Sequence, residues 1–128
     1  MFELEVGHRF SAAHAVSING VMEELHGHDW HVRVGIRGRR LDSEDLLVDF
    51  HEVETVLRDS VEPFSGRTMN GIPPFDEILP TAERIAELVG QKISPVLASG
   101  VTLAWVSVEE APGCIARWYP ADPGLESE

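Results

Sequence analysis

The sequence predicts an α+β fold in which a four-stranded antiparallel sheet carries two helices on one face, in the order ββααββ. Apolar residues alternate with polar ones near both ends of the chain, as in half-buried strands, and recur at helical spacing in the middle. The chain has 128 residues, which fits one domain. We expect this domain to cover residues 1–121 and a disordered tail to cover residues 122–128.

The first two strands are predicted to form a hairpin that ends in histidines. From Phe2 to His14 the apolar side chains share one face, and His14 closes that face. After a loop over residues 15–25 the alternation resumes, and His28 opens the apolar face of the second strand. His26 lies two residues before His28 and therefore points to the same side. The hairpin thus gathers three imidazoles at one end.

Three imidazoles at one point predict a metal site. Neutral imidazole is a good zinc ligand, and three protein ligands leave a fourth position for water or substrate, as in catalytic zinc sites. We therefore expect His14, His26 and His28 to bind Zn²⁺. The remaining histidines are interpreted as ordinary polar side chains: His8, His31 and His51.

Two helices and a long loop are predicted in the middle of the chain. Asp49 is a suitable cap for a helix in which Phe50, Val53 and Val61 recur at helical spacing and which should stop before Pro63. Thr81 is a candidate cap for a second helix, which Ser94-Pro95 bends or ends. The glycines and prolines between the helices indicate an ordered loop over residues 64–80, and loops of this length are often functional.

Two further strands complete the predicted sheet. They run from Val101 to Glu110 and from Ile115 to Tyr119, with a turn at Pro112-Gly113. A small open sheet has exposed edges, and pairing these edges around a symmetry axis would close a barrel. We therefore expect an oligomer with sites at subunit boundaries. Cys114 is interpreted as a small turn or core residue.

The composition excludes some classes of partner. The formal net charge of −12 argues against nucleic acid or an anionic membrane as the main partner. We expect a cytoplasmic protein, because the chain has no apolar run of membrane-spanning length and no signal-peptide pattern at its N-terminus. A single cysteine excludes an internal disulfide and fits a reducing compartment.

Several motifs match one known family. Phe10-Ser11-Ala12-Ala13-His14 and His26-Gly27-His28-Asp29-Trp30 resemble its zinc motifs, and later blocks match at Val48-Asp49-Phe50, Ile72-Pro73-Pro74-Phe75 and Pro80-Thr81-Ala82-Glu83. The chain therefore resembles the 6-pyruvoyl-tetrahydropterin synthase and 6-carboxytetrahydropterin synthase family almost from end to end. The resemblance implies the tunnelling fold, in which subunits form barrels stacked into a homohexamer. It also implies Zn²⁺ and a pterin-type substrate in pockets between subunits.

The resemblance implies that Glu110, near the end of the third long strand, anchors the pterin. A carboxylate accepts two parallel hydrogen bonds from the 2-amino-4-oxo pyrimidine edge of a pterin. Glu110 shares a strand face with Val106 and Val108, so we expect it to face the interior, whereas Glu109 faces the other way. The alternative is an exposed acidic strand end.

Two features depart from the family's usual pattern. The resemblance implies a catalytic cysteine four residues before the His-Gly-His motif, but that residue is Met22, whose thioether cannot take a proton. An aspartate-histidine pair is expected in the long loop, where Ser65 and Gly66 stand instead. One branch of the family has a glutamate three residues before the motif, and Glu23 matches it. Glu24 is the weaker alternative.

The glutamate branch acts on 7,8-dihydroneopterin triphosphate and makes 6-hydroxymethyl-7,8-dihydropterin. We therefore expect a zinc-dependent lyase of this type, with Glu23 as its base. Two alternatives remain open: formation of 6-pyruvoyl- or 6-carboxy-tetrahydropterin, and an inactive zinc protein that binds a pterin or purine. Folate, deazapurine (queuosine) and biopterin synthesis share this substrate, so the pathway stays open. Arg67 is a candidate for contact with phosphate or with another subunit.

Overall fold

The computed structural model describes residues 1–120 of the chain. Four long strands form one antiparallel sheet in the order β1-β4-β5-β6, and two short strands form a separate hairpin. The strands are β1 (Phe2–His14), β2 (Ser17–Ile18), β3 (Val21–Met22), β4 (His26–Gly38), β5 (Val101–Ala111) and β6 (Cys114–Trp118). The predicted α+β class is confirmed. The tail predicted for residues 122–128 lies outside the described residues.

The pairing of β1 with β4 positions the three histidines. The two strands pair over their full length, with His14 opposite His26 and Ala12 opposite His28. The connection between them differs from the plain loop predicted over residues 15–25, because it contains the small hairpin of β2 and β3. Strands of two residues carry no readable alternation, so the sequence pattern could not indicate them.

Both predicted helices form, and each begins at its predicted cap. The side chain of Asp49 accepts a hydrogen bond from the His51 amide at 2.9 Å, and that of Thr81 accepts one from the Arg84 amide at 3.1 Å. Each helix ends in a short 3-10 turn with proline near its start, which cannot continue the α-helical hydrogen bonding. The helices are α1 (Phe50–Val61) and α2 (Ala82–Ile93).

The core lies between the helices and one face of the sheet. Helix α1 packs on β1, and α2 packs on β5 and β6. A Cβ atom at Gly90 would lie 2.1 Å from the Trp118 ring, so glycine is needed for the close contact of α2 with β6. The fully buried side chains of this core include Trp30, Val32, Val34, Ile36, Leu57, Ile85, Val89 and Val106. Within the described residues, none of the helices is long and apolar enough to cross a membrane.

The long loop between the helices runs beside the histidine end of β1. The Gly66 amide donates to the Ser11 carbonyl at 2.7 Å, and the Ala13 amide donates to the Arg67 carbonyl at 2.9 Å. The Met69 amide then donates to the Ala13 carbonyl at 2.8 Å, and the Met69 side chain is fully buried. These bonds hold the loop at the edge of the sheet, next to the histidines.

Candidate metal centre and adjoining cavities

The three predicted metal ligands come together at one end of the β1–β4 pair. His14, His26 and His28 each offer one ring nitrogen, and these nitrogens all lie within 4.8 Å of one another. His14 is buried, while His26 and His28 are partly exposed. The cluster is therefore closed on the core side and accessible on the other.

Two of the rings are oriented by backbone carbonyl groups. Nδ1 of His14 lies 2.8 Å from the Pro80 carbonyl oxygen, and Nδ1 of His26 lies 2.8 Å from the Glu24 carbonyl oxygen. A carbonyl can only accept, so Nδ1 carries the hydrogen and Nε2 of the neutral ring presents a lone pair. Metal-binding histidines in proteins are commonly held in this way by the nitrogen that does not bind the metal.

The free nitrogens have no protein hydrogen-bond partner. Nε2 of His14 and Nε2 of His28 are buried, and neither makes a hydrogen bond within the described part of the chain. Burial lowers the pKa of His28 below its ordinary value, outweighing the Glu110 carboxylate, which raises it. The neutral imidazole is thus favoured. Buried, unpaired nitrogens are costly, and a divalent metal ion would satisfy them, so this donor set fits a zinc ion.

Trp30 forms the wall behind the cluster, a role that sequence reasoning did not assign. Its ring is fully buried and meets the rings of His14 and His28 edge to face, at centroid distances of 4.8 and 5.4 Å. Its indole Nε1 donates to the Ala12 carbonyl at 3.1 Å. The tryptophan limits the positions that both imidazoles can take. Its place two residues after His28 on the same strand face was the available signal.

Glu110 reaches the cluster from β5. Its Oε1 lies 3.1 Å from Nε2 of His14 and 3.9 Å from Nε2 of His28, and about a third of its side chain is exposed (32%). Glu109, its neighbour, points elsewhere: it pairs with His31 across the strands, and its Oε2 accepts from the Gly113 amide at 3.4 Å. The strand alternation therefore brings one of the two adjacent carboxylates to the histidines.

Glu23 reaches the cluster from the β2–β3 hairpin. Its Oε1 accepts a hydrogen bond from the Val16 amide at 3.1 Å and lies 4.0 Å from Nε2 of His26. The Glu23 amide donates back to the Val16 carbonyl at 3.0 Å, so the residue is fixed at two points. Glu24 is exposed and contributes its backbone carbonyl to His26, while Met22 is exposed on β3.

A cavity of about 470 Å³ adjoins the cluster on the side of the long loop, and we call it the loop cavity. It is lined by Ser11, Gly27, His28, Asp29, Arg67 and Thr68, among others. Asp29, which sequence reasoning did not single out, accepts a hydrogen bond from the Ser11 hydroxyl at 2.6 Å. Its place in the motif that begins at His26, directly after His28, was the available signal. Gly66 also lines the cavity and brings no titratable side chain.

A second cavity, of about 460 Å³, lies beyond Glu110, and we call it the helix cavity because the start of α2 borders it. Its lining includes Glu83, Glu110, Cys114 and Arg117. Cys114 is interpreted from the sequence as a small turn or core residue; it is exposed, which excludes the core, and it lies directly after the turn as the first residue of β6. The last strand, predicted from Ile115 to Tyr119, runs from Cys114 to Trp118 in the structure. His51 is exposed on α1 and lines neither cavity.

Comparison with known sequences assigns the chain to a family. Residues 3–121 match the family model described as 6-pyruvoyl tetrahydropterin synthase. The dihydroneopterin monophosphate aldolase of Pyrococcus furiosus is 34% identical over 101 residues, which are 79% of this chain and 82% of that protein. The 6-carboxy-5,6,7,8-tetrahydropterin synthase of Bacillus subtilis is 26% identical over 133 residues, covering 97% of this chain and 89% of that one.

Solved structures show the same fold at lower identity. The Caenorhabditis elegans 6-pyruvoyl tetrahydropterin synthase superposes with a TM-score of 0.80 at 19% identity, covering 94% of this chain and 96% of that one. A Plasmodium vivax 6-pyruvoyltetrahydropterin synthase, solved with a catalytic glutamate changed to cysteine, gives 0.71 at 18% identity, covering 94% and 98%. With the family model spanning nearly the whole chain, these findings show that the chain belongs to the 6-pyruvoyl tetrahydropterin synthase family.

Proposed function

We propose that this chain is a zinc-dependent lyase that cleaves the side chain of a phosphorylated 7,8-dihydroneopterin to give 6-hydroxymethyl-7,8-dihydropterin. The observation that carries the proposal is the Glu23 carboxylate, which lies beside the three histidines although the usual cysteine position holds Met22. Two relatives support it. One is named an aldolase of dihydroneopterin monophosphate, and the Plasmodium vivax synthase has a catalytic glutamate.

The proposed reaction is a retro-aldol cleavage. A base takes the proton of the 2′-hydroxyl group, the oxygen forms a carbonyl, and the bond between C1′ and C2′ breaks. The electron pair of that bond enters the conjugated imine of the dihydropterin ring and returns to C1′ with a proton. The products are 6-hydroxymethyl-7,8-dihydropterin and glycolaldehyde, or glycolaldehyde phosphate from a monophosphate. A zinc ion bound by the histidines would supply Lewis-acid polarisation of the side-chain oxygens.

Glu23 is the proposed base. The Val16 amide fixes one carboxylate oxygen, and the backbone bonds between the same two residues fix the hairpin around it. A base held in one position beside the reacting hydroxyl avoids the entropy cost of finding it. Glu24, the alternative base, is exposed, and its backbone carbonyl orients His26. These positions favour Glu23.

Glu110 is the proposed anchor for the pterin ring. Its carboxylate borders the helix cavity, where it could accept the adjacent N–H groups of the pyrimidine edge. Glu83, in the first turn of α2, lines the same cavity and offers a second acceptor. A pterin in the helix cavity would direct its side chain towards the histidines and the loop cavity.

Arg67 is the proposed contact for the phosphate. It is the one cationic side chain among the residues that line the loop cavity, which also contains Asp29. A guanidinium group binds a phosphate through two parallel hydrogen bonds. One arginine beside one carboxylate suits a single phosphate better than a triphosphate, especially in a chain with a net charge of −12. We therefore favour the monophosphate over the triphosphate as the substrate.

A second candidate function is the synthesis of 6-carboxy-tetrahydropterin or 6-pyruvoyl-tetrahydropterin. The Bacillus subtilis relative, which aligns with 97% of this chain, favours it. Two positions argue against this function. Met22 stands where the resemblance implies a catalytic cysteine, and Gly66 stands where it implies a member of the aspartate-histidine pair. An inactive protein that binds a pterin or purine is the third reading, and it would bind these ligands without turnover.

The test is to identify the product. Zinc-loaded protein is incubated separately with 7,8-dihydroneopterin, its monophosphate and its triphosphate, and the products are identified by mass spectrometry. The proposal expects 6-hydroxymethyl-7,8-dihydropterin, formed fastest from the monophosphate and lost when zinc is removed with a chelator. A 6-carboxy- or 6-pyruvoyl-tetrahydropterin product would establish the second candidate instead. Binding of all three compounds without any product would refute catalysis.

A further inference from the structure

We infer that Glu110 is itself a ligand of the metal in the substrate-free protein, beside His14, His26 and His28. This role adds to the proposed anchoring of the pterin, since one carboxylate can serve the metal before substrate arrives and the substrate afterwards. It rests on the proposed metal centre and does not depend on which reaction the protein catalyses.

The Glu110 carboxylate lies close to two of the three proposed histidine ligands. Zinc binds nitrogen and oxygen at about 2.0–2.2 Å, so two ligands of a tetrahedral site lie about 3.3–3.5 Å from each other. Oε1 of Glu110 lies 3.1 Å from Nε2 of His14 and 3.9 Å from Nε2 of His28. These two distances bracket that separation, so a metal ion held by His14 and His28 would lie within reach of the carboxylate oxygen.

A cation between His14 and Glu110 also fits the hydrogen bond that orients His14. Nδ1 donates to the Pro80 carbonyl, so in the neutral form of the ring Nε2 is an acceptor, as is the Glu110 oxygen that faces it. Nε2 makes no hydrogen bond among the described residues, and it is buried. Two acceptors at 3.1 Å repel each other unless a positive charge lies between them. A metal ion supplies this charge; the alternative is a proton on Nε2, which would make an ion pair.

Glu110 also has room to leave the metal. About a third of its side chain is exposed, and it borders the helix cavity. Three histidines and a carboxylate would fill a tetrahedral zinc site, whereas catalysis needs an open position. The carboxylate can turn away into the helix cavity, whereas His14 and His26 are each held by a backbone carbonyl through the nitrogen that faces away from the cluster.

The test measures metal binding by three variants. Glu110→Gln removes the negative charge, Glu110→Asp keeps the charge but shortens the side chain, and Glu109→Gln changes the neighbouring carboxylate that points away. Zinc affinity is measured by competition with a chromophoric chelator, and the coordination is followed by the visible spectrum of the cobalt(II) form. Circular dichroism of each metal-free variant reports whether it folds.

We expect Glu110→Gln and Glu110→Asp each to bind zinc about 10- to 100-fold more weakly and to change the cobalt(II) spectrum. Glu109→Gln should match the wild type in both. If only Glu110→Asp folds, its zinc affinity alone is used for the test. The shorter side chain keeps the negative charge but should not reach the metal, so the affinity should still fall. Wild-type affinity and an unchanged cobalt spectrum in the Glu110 variants would overturn the inference and favour the ion pair. Neither measurement involves turnover, so a failure of this inference can be distinguished from a failure of the proposed lyase activity.

Discussion

At the level of single residues, the proposed site consists of a metal centre and of two side chains that would bind the two ends of a substrate. The histidine nitrogens converge from β1 and β4, Glu110 borders the helix cavity, and Arg67 lines the loop cavity. The proposed metal centre thus adjoins two cavities, one lined by a carboxylate suited to a pterin ring and the other by a guanidinium suited to a phosphate. Each of these groups can be changed separately, since they come from different elements.

Arg67 should determine the preference for a phosphorylated substrate. Changing Arg67→Gln removes a charge-assisted contact worth about 1.5–3 kcal/mol, which corresponds to roughly 10- to 100-fold in kcat/KM for the monophosphate. The kcat/KM for unphosphorylated 7,8-dihydroneopterin should stay near the wild-type value. Arg84→Gln, on the exposed side of α2, is the matched control and should alter neither. An equal loss on both substrates would mean that Arg67 supports the fold and not the phosphate.

His31 should make the metal-free protein less stable in mild acid. Burial lowers the pKa of His31 below 6.5, and Arg33 and Arg9 lower it further. A histidine with a lower pKa in the folded state favours folding while it is neutral, so stability is full above about pH 6.5 and falls as the pH drops below it. Replacing His31→Asn should flatten this dependence, measured as the thermal midpoint between about pH 7.5 and 5.5. An unchanged slope would contradict this assignment.

At the scale of elements, the cap of α2 is connected directly to the metal centre. The Thr81 side chain caps the helix, and the preceding residue, Pro80, orients His14 through its carbonyl oxygen. Asp49 caps α1 in the same manner but is next to no metal ligand in the described structure. The two caps therefore form a matched pair: they should contribute similarly to the free energy of unfolding, but only the Thr81 cap adjoins the metal centre.

Removing each cap should separate these effects. Thr81→Ala and Asp49→Ala should each lower the free energy of unfolding by about 1 kcal/mol, because an unpaired amide is left at the helix start. Thr81→Ala should in addition weaken zinc binding, as Pro80 loses its fixed position, whereas Asp49→Ala should leave zinc affinity unchanged. Denaturant unfolding and zinc competition measure the two quantities. Equal zinc affinity in both variants would show that the cap does not position His14.

The elements were predictable to different degrees. Alternation over Phe2–His14 and helical spacing over residues 50–61 reflect local burial, so the sequence predicted these elements and their faces. The β2–β3 hairpin is too short to produce a pattern, although it holds Glu23. The closeness of Glu110 to His14 depends on the register in which β5 pairs with β4. This register joins residues far apart in the chain, so a single sequence does not predict it. The loop cavity likewise arises from backbone bonds between residues far apart in the chain.

At the scale of the whole molecule, the sheet has two edges in the described structure, β1 and β6. The long loop covers β1 only near Ser11 and Ala13, so the rest of that strand offers unpaired backbone groups. Pairing such edges between copies would close a barrel, as the family resemblance implies. We therefore predict a homohexamer of about 85 kDa, since one chain has a mass of 14.2 kDa. Size-exclusion chromatography with light scattering would measure this mass, and a monomer would contradict it.

The role of Glu23 as the base of a lyase at this metal centre is tested by comparing Glu23→Gln with Glu24→Gln. Glutamine keeps the oxygen that accepts from the Val16 amide, so the hairpin should remain intact. With zinc-loaded protein and 7,8-dihydroneopterin monophosphate, Glu23→Gln should form 6-hydroxymethyl-7,8-dihydropterin about 10²- to 10⁴-fold more slowly, and Glu24→Gln at nearly the wild-type rate. A Glu23→Gln variant that cleaves the substrate as fast as the wild type would show that Glu23 is not the base.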